Sequence, residues 1–245
     1  TWAATSRGLF RIDENGNRRE ECPVGLCEGA RALAETSEGL WLGTATRGLW
    51  LRSGSLWAPV PLLPRGGRAV FRLYTGPSGT FYVATTDSGL FLRRPGSVSF
   101  ERWSTENGLP SNVVNCAFED REENVWVGTD IGGLARFRGQ LVRNLGEKEG
   151  LPSKCVFAVS EAAEDGSLWI GTLRGAARLQ RAPEMRVLEV VGGAEGLANE
   201  LVFRAEAGPD GDLWIWSEGG LQRRRQGATR VEPADEFSSA ISTDV

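Results

Sequence analysis

Val125-Trp-Val-Gly-Thr-Asp-Ile-Gly-Gly-Leu134 decides the fold, because the chain repeats it. Leu40-Trp-Leu-Gly-Thr-Ala-Thr-Arg-Gly-Leu49 and Leu168-Trp-Ile-Gly-Thr-Leu-Arg-Gly-Ala176 are near copies. Phe81-Tyr-Val-Ala-Thr-Thr-Asp-Ser-Gly-Leu90 keeps the pattern with Tyr in the aromatic place. Weaker copies read Trp2-Ala-Ala-Thr-Ser-Arg-Gly-Leu9 and Leu213-Trp-Ile-Trp-Ser-Glu-Gly-Gly-Leu221. The aromatic slot is thus Trp2, Trp41, Tyr82, Trp126, Trp169 and Trp214, filled about every 40–45 residues, the period of a four-stranded propeller blade.

Working outward from Trp126, one period divides into four short strands. Val113 to Phe118 reads as strand a, Val125 to Thr129 as b, Leu134 to Phe137 as c and Leu141 to Leu145 as d. Turn chemistry separates them at 120–124, 130–133, 138–139 and 147–153. No segment holds a 3.6-residue period for ten residues without Gly or Pro, so helices fail as an alternative. The expected fold is all-β: a propeller of six four-stranded blades, one domain over residues 1–245. The chain enters at strand b of the first blade. Ser239 to Asp244 resembles a strand a, and its pairing beside Trp2 to Thr5 would close the ring and remove two unpaired edges. A cut from a longer array is the competing reading.

Gly108-Leu-Pro-Ser-Asn112, then Asp120, Trp126-Val-Gly-Thr129 and Gly132-Gly-Leu134 resemble the two-component regulator propeller repeat. Gly150-Leu-Pro-Ser153, Asp165-Gly166 and Trp169-Ile-Gly-Thr172 resemble it again. That family forms sensor domains of bacterial hybrid and histidine-kinase signalling proteins. The resemblance implies a non-catalytic, ligand-sensing input module in the periplasm or another extracytoplasmic place. It supplies no catalytic residue set and no cofactor. A protein-interaction scaffold is the alternative, and a two-carboxylate glycosidase a further one.

Composition narrows the chemistry. The chain has 245 residues, 32 glycines, 9 tryptophans and no histidine, with a formal charge of −4. Without histidine there is no Ser-His-Asp or Cys-His nucleophile, no histidine metal site and no histidine base. The acidic balance and the lack of a basic tract disfavour nucleic acid. No stretch of about 18 apolar residues spans a membrane. No Gly-rich phosphate loop opens a helix, and acidic turns such as Asp210-Gly211 serve hairpin geometry rather than metal.

The slot aromatics are expected to pack between blades, since one position filled in every repeat reflects packing periodicity. Strand direction puts the b–c and d–a loops at one end. Candidate ligand contacts there are Arg7, Arg47, Asp87, Asp130, Arg174 and Glu218 on b–c loops, with Asn112 and Lys154 on d–a loops. On strand a, Arg72, Cys116, Ala158 and Arg204 align, and the two arginines are candidates for an anion or for ion pairs with Glu35 or Glu206. Trp57 and Trp103, outside the slot, are candidate partner contacts. The expected partner is a small polar ligand, an oligosaccharide or a protein, a second copy of the chain included. Cys22 and Cys27 flank the first d–a loop, where a local disulfide would suit an extracytoplasmic domain. Two free thiols are the alternative there, and Cys116 and Cys155 read as core residues.

Overall fold

The computed structural model describes residues 2–5, 8–13, 16–19, 25–62, 69–138, 141–162, 165–181, 184–208 and 210–234. It divides into two compact units, Thr1–Arg121 and Glu122–Val245. In the first, Trp2–Thr5 (β1), Gly8–Asp13 (β2) and Gly16–Arg19 (β3) form a three-stranded antiparallel sheet. Ala30–Thr36 (β4), Gly39–Thr44 (β5), Leu49–Ser53 (β6) and Leu56–Val60 (β7) form the next. Val70–Thr75 (β8), Phe81–Thr85 (β9), Leu90–Arg93 (β10) and Glu101–Trp103 (β11) form another, and Val114–Glu119 (β12) is the unit's last strand.

In the second unit, Val125–Thr129 (β13), Leu134–Arg138 (β14) and Leu141–Leu145 (β15) pair in order. Val156–Glu161 (β16), Leu168–Thr172 (β17), Gly175–Gln180 (β18) and Arg186–Val191 (β19) follow as one sheet. Val202–Ala207 (β20), Leu213–Ser217 (β21), Gly220–Arg224 (β22) and Glu232–Pro233 (β23) form the last. The expected all-β propeller of six repeats is therefore the observed fold, each repeat running up and down from an inner strand to an outer one.

The repeated residues act in the same way in the second and fifth copies. Trp41 packs on Val70, Leu73, Phe81, Val83 and Phe91 of the following sheet. Trp169 packs likewise on Val202, Ala205, Leu213 and Ile215. The Gly two places on makes room for the next inner strand. A Cβ on Gly43 would lie 2.4 Å from Val70 Cγ1, and one on Gly171 would lie 2.8 Å from the Val202 carbonyl. Arginines cover the slot rings: Arg93 stands 4.9 Å over Trp41 and Arg224 5.4 Å over Trp169, both from the following sheet.

The Thr after the Gly closes the b–c turn. Thr44, Thr85, Thr129 and Thr172 each donate their hydroxyl to the carbonyl of Gly48, Gly89, Gly133 and Gly175, at 2.7–2.9 Å. The same oxygens accept N–H bonds from Arg47, Ser88, Gly132 and Arg174. Gly133 needs its positive φ of 77°, and a Cβ there would meet the Leu145 carbonyl at 2.1 Å.

Three of the d–a loops share one device. A single 3-10 turn at Thr105–Asn107, Glu147–Glu149 and Gly193–Glu195 ends on Gly108, Gly150 and Gly196 at positive φ. The last side chain of each turn folds back to accept a backbone N–H. Asn107 takes that of Ser104 at 2.5 Å, Glu149 that of Gly146 at 2.7 Å and Glu195 that of Gly192 at 2.8 Å. The Leu after each glycine, at 109, 151 and 197, is buried.

The expected ring closure falls on residues 239–244, outside the described residues. Of the cysteines, Cys116 and Cys155 are buried thiols outside any disulfide. Cys27 is buried and disulfide-bonded, while Cys22 lies outside the described residues.

Candidate functional site

Backbone hydrogen bonds join the b–c turns to the d–a loops at one end of the repeats. In the second unit Gly133 N–H bonds the Lys154 carbonyl at 2.8 Å, Gly175 the Glu200 carbonyl at 2.7 Å, and Glu218 the Leu201 carbonyl at 3.0 Å. That end carries exposed apolar side chains: Ile131 (68%), Leu173 (46%), Phe203 (40%) and Trp216 (54%). A register break in β20, between Val202 and Arg204, sets Phe203 and Arg204 against Trp216 of β21. The matching break in β16 leaves Phe157 beside Phe203, ring centroids 6.0 Å apart and edge-to-face. Trp216 stands where the other repeats have Ala4, Gly43, Ala84, Gly128 and Gly171, so an indole occupies a position elsewhere held by the two smallest residues.

The candidate residues divide as follows. Asp130 is half-buried and accepts the Cys155 thiol at 3.2 Å. Lys154 is exposed, 4.0 Å from Glu147. Arg174 is exposed on its turn. Glu218 accepts from the Asn199 amide at 3.1 Å, and Arg204 pairs with Glu206 at 2.8 Å. These five lie in the second unit with the aromatics. In the first unit Arg47, Arg72 and Asp87 are exposed, Asp87 accepting the Ser88 hydroxyl at 2.7 Å. Asn112 is committed to its own loop: it accepts the Thr105 N–H at 2.9 Å and donates to the Thr105 hydroxyl. Arg7 lies outside the described residues.

The four aligned strand-a positions do not share one environment. Cys116 and Ala158 are buried, whereas Arg72 and Arg204 are exposed. Trp57 and Trp103 are half-buried rather than displayed. Trp57 packs against the cluster of Leu9, Leu26, Leu40 and Leu42. Trp103 donates its indole N–H to Glu101 at 2.9 Å, which with Arg94 holds that carboxyl below its ordinary range against the opposing effect of burial. The exposed Phe203, Leu173, Ile131 and Trp216, with the half-buried Phe157, are residues of this end that sequence reading did not name as contacts. Two signals for them were present: the Val-Phe pair at 70–71, 156–157 and 202–203, and the Trp in a glycine slot.

A second feature of the same unit is a cleft of about 540 Å³ between the last two sheets, toward their a–b and c–d turns. None of the candidate rim residues lines it. Arg224 bridges both oxygens of Glu189 at 3.0 and 3.1 Å. Arg178 binds Asp165 at 2.7 Å and the Ser167 hydroxyl at 2.9 Å. Burial raises the Asp165 pKa, but the Ser167 hydrogen bonds and Arg178 outweigh it and hold the carboxyl below its ordinary range. Nearby, Asp212 is held low by the Gln226 N–H and by Arg223, despite burial. Carboxylates held ionised in this way are poor general acids at neutral pH. Among the described residues, no group of three or more metal-binding side chains converges.

Comparison with known proteins adds the following. Residues 108–130 match the family model described as two component regulator propeller, the family that the repeat resembles. No curated protein matches. The extracellular domain of the hybrid two component system BT3049 from B. thetaiotaomicron is 18% identical, with a TM-score of 0.73 over 91% of this chain and 32% of that one. That of BT4673 from the same organism is 17% identical, with a TM-score of 0.73 over 96% and 34%. A streptogramin B lyase is 13% identical, with a TM-score of 0.67 over 94% and 77%. The chain spans about a third of the two extracellular domains. At these identities the likeness is one of fold, which sensors and lyases share.

Proposed function

We propose that the chain is a non-catalytic recognition propeller, the extracytoplasmic input module of a two-component-type signalling protein. Its ligand is a small polar molecule or an oligosaccharide, bound at the b–c end of the second unit. The observation that carries this reading is the exposed Phe203 and Trp216 beside Arg204, with Arg174, Lys154 and Glu218 on the flanking loops. Aromatic faces take the apolar side of a sugar ring while charged groups meet its hydroxyls. The match at residues 108–130 and the shared fold of the extracellular sensor domains support it. The absence of histidine from the sequence sets the chain apart from any histidine-based lyase chemistry on this fold.

A thermal-shift screen of glycans and small polar metabolites tests the reading. A ligand at a hundred times its Kd stabilises by about 2.7 kcal/mol, a shift of several degrees for a chain of this size. The expected result is a hit whose shift disappears in a Phe203→Ala, Trp216→Ala double variant. Hits that survive the double variant would move the site elsewhere, and a panel without hits would favour a protein partner. That second reading draws on Ile131 and Leu173, whose exposed aliphatic side chains on adjacent turns suit a protein surface.

A further inference from the structure

We propose that the cleft between the last two sheets is a separate binding site for a small zwitterion, an α-amino acid or a dipeptide with an aliphatic side chain. Three arginines (178, 224 and 225) and three carboxylates (165, 189 and 195) line the cleft. The inner pairs are satisfied: Arg224 spans both oxygens of Glu189, and Arg178 holds Asp165 and Ser167. A ligand of one sign would have to break such a pair and leave a partly buried charge without its partner, a costly exchange. A balanced lining also creates no net potential to concentrate an ion of either sign.

The lining offers both donors and acceptors. The c–d turn of the last repeat supplies donors, with Arg225, Gln226 and Thr229 all exposed along it. Asp165, on an a–b turn, and Glu195, on a d–a loop, supply acceptors. Glu195 uses one carboxylate oxygen for the Gly192 N–H, and a carboxylate has acceptor capacity beyond one bond. A ligand carrying a carboxylate and an ammonium group meets both kinds of group without displacing an inner pair. Ala162, Ala207, Leu213 and Trp169 add apolar lining, which suits an aliphatic side chain. The volume of about 540 Å³ lies within the range of small-molecule sites.

Glu195 sits on the d–a loop before β20, but none of the lining residues is a rim candidate or one of the exposed aromatics, so the two proposals stand or fall separately. The test is isothermal titration of the full chain with L-leucine and with glycyl-leucine, beside isovalerate and isopentylamine, which carry one charge each. Leucine or the dipeptide is expected to bind at least about tenfold more tightly than either half-molecule. Arg225→Gln and Glu195→Gln are each expected to weaken it by about tenfold or more with the melting temperature unchanged. Glu195→Gln retains an oxygen for the Gly192 N–H, so its effect reports charge rather than loss of the loop. Equal binding of the half-molecules, no heat from either zwitterion, or variants that bind as the parent does would overturn the assignment.

Discussion

Replacing Trp41 with Ala probes the contact on which each repeat depends. The Trp41 ring is 1% exposed, with its centroid 4.9 Å from that of Phe81 and 6.4 Å from that of Phe100. The Arg93 guanidinium lies 4.9 Å over it, and its indole N–H donates to the Thr36 hydroxyl at 3.0 Å. Truncation removes roughly 200 Å² of buried surface, about 5 kcal/mol by area. Mutational series for buried Trp or Phe to Ala give about 3–5 kcal/mol, because the site relaxes in part. An expected loss of about 4 kcal/mol is a large share of a typical stability of about 5–15 kcal/mol. Trp41→Phe keeps one ring and should lose less than half as much. The assay is urea unfolding followed by far-UV circular dichroism, with Leu56→Ala as a control because Leu56 is 77% exposed. A loss below about 1 kcal/mol for Trp41→Ala, or one no greater than that of the control, would refute the packing argument.

Tyr82→Phe removes the hydroxyl that donates to buried Glu119 at 3.1 Å, leaving Ser78 at 2.9 Å, and should cost about 1–2 kcal/mol in the same melts. Burial, then the Glu119 charge, push the Tyr82 phenol well above its ordinary value. Its contribution is complete below pH 10 and fades as pH rises beyond, so Tyr82→Phe should flatten the alkaline limb of the stability profile. Gly171→Val drives a side chain into the Val202 carbonyl and should cost about 1–3 kcal/mol, whereas Ala84, in the same slot, already carries a Cβ. The Asp165 carboxyl is held low, so its contribution is present above pH 3.8 and is lost as pH falls through the folded value. Asp165→Asn should therefore shrink the acid-induced loss between neutral pH and pH 2, read from melting temperatures.

Local chemistry made the repeat legible. In the fourth copy the expected strands at 113–118, 125–129, 134–137 and 141–145 meet the observed Val114–Glu119, Val125–Thr129, Leu134–Arg138 and Leu141–Leu145. Alternating apolar residues and Gly or Asp turns act over a few positions, so they can be read directly. The recognition end was partly legible. The turn residues Arg174 and Glu218 follow from strand direction, whereas Phe203 and Trp216 left only the recurring Val-Phe pair and a Trp in a glycine slot as signals, and the register break that exposes them is set by strand pairing. Arg72, Ala158 and Arg204 each follow such a break, yet Ala158 is buried and the two arginines are exposed. The cleft was not legible. Arg178, Glu189 and Arg224 come from three strands of two sheets, and only the stacking of those sheets brings the charges together.

Hydrogen exchange of the full chain, with and without a ligand found by the glycan and metabolite screen, tests the recognition claim most directly. Protection is expected on the turns at 130–133, 173–175 and 218–219 and on the inner strand at 202–204, with the outer strands unchanged. Protection confined to the outer strands, or none at those turns under saturating ligand, would contradict it.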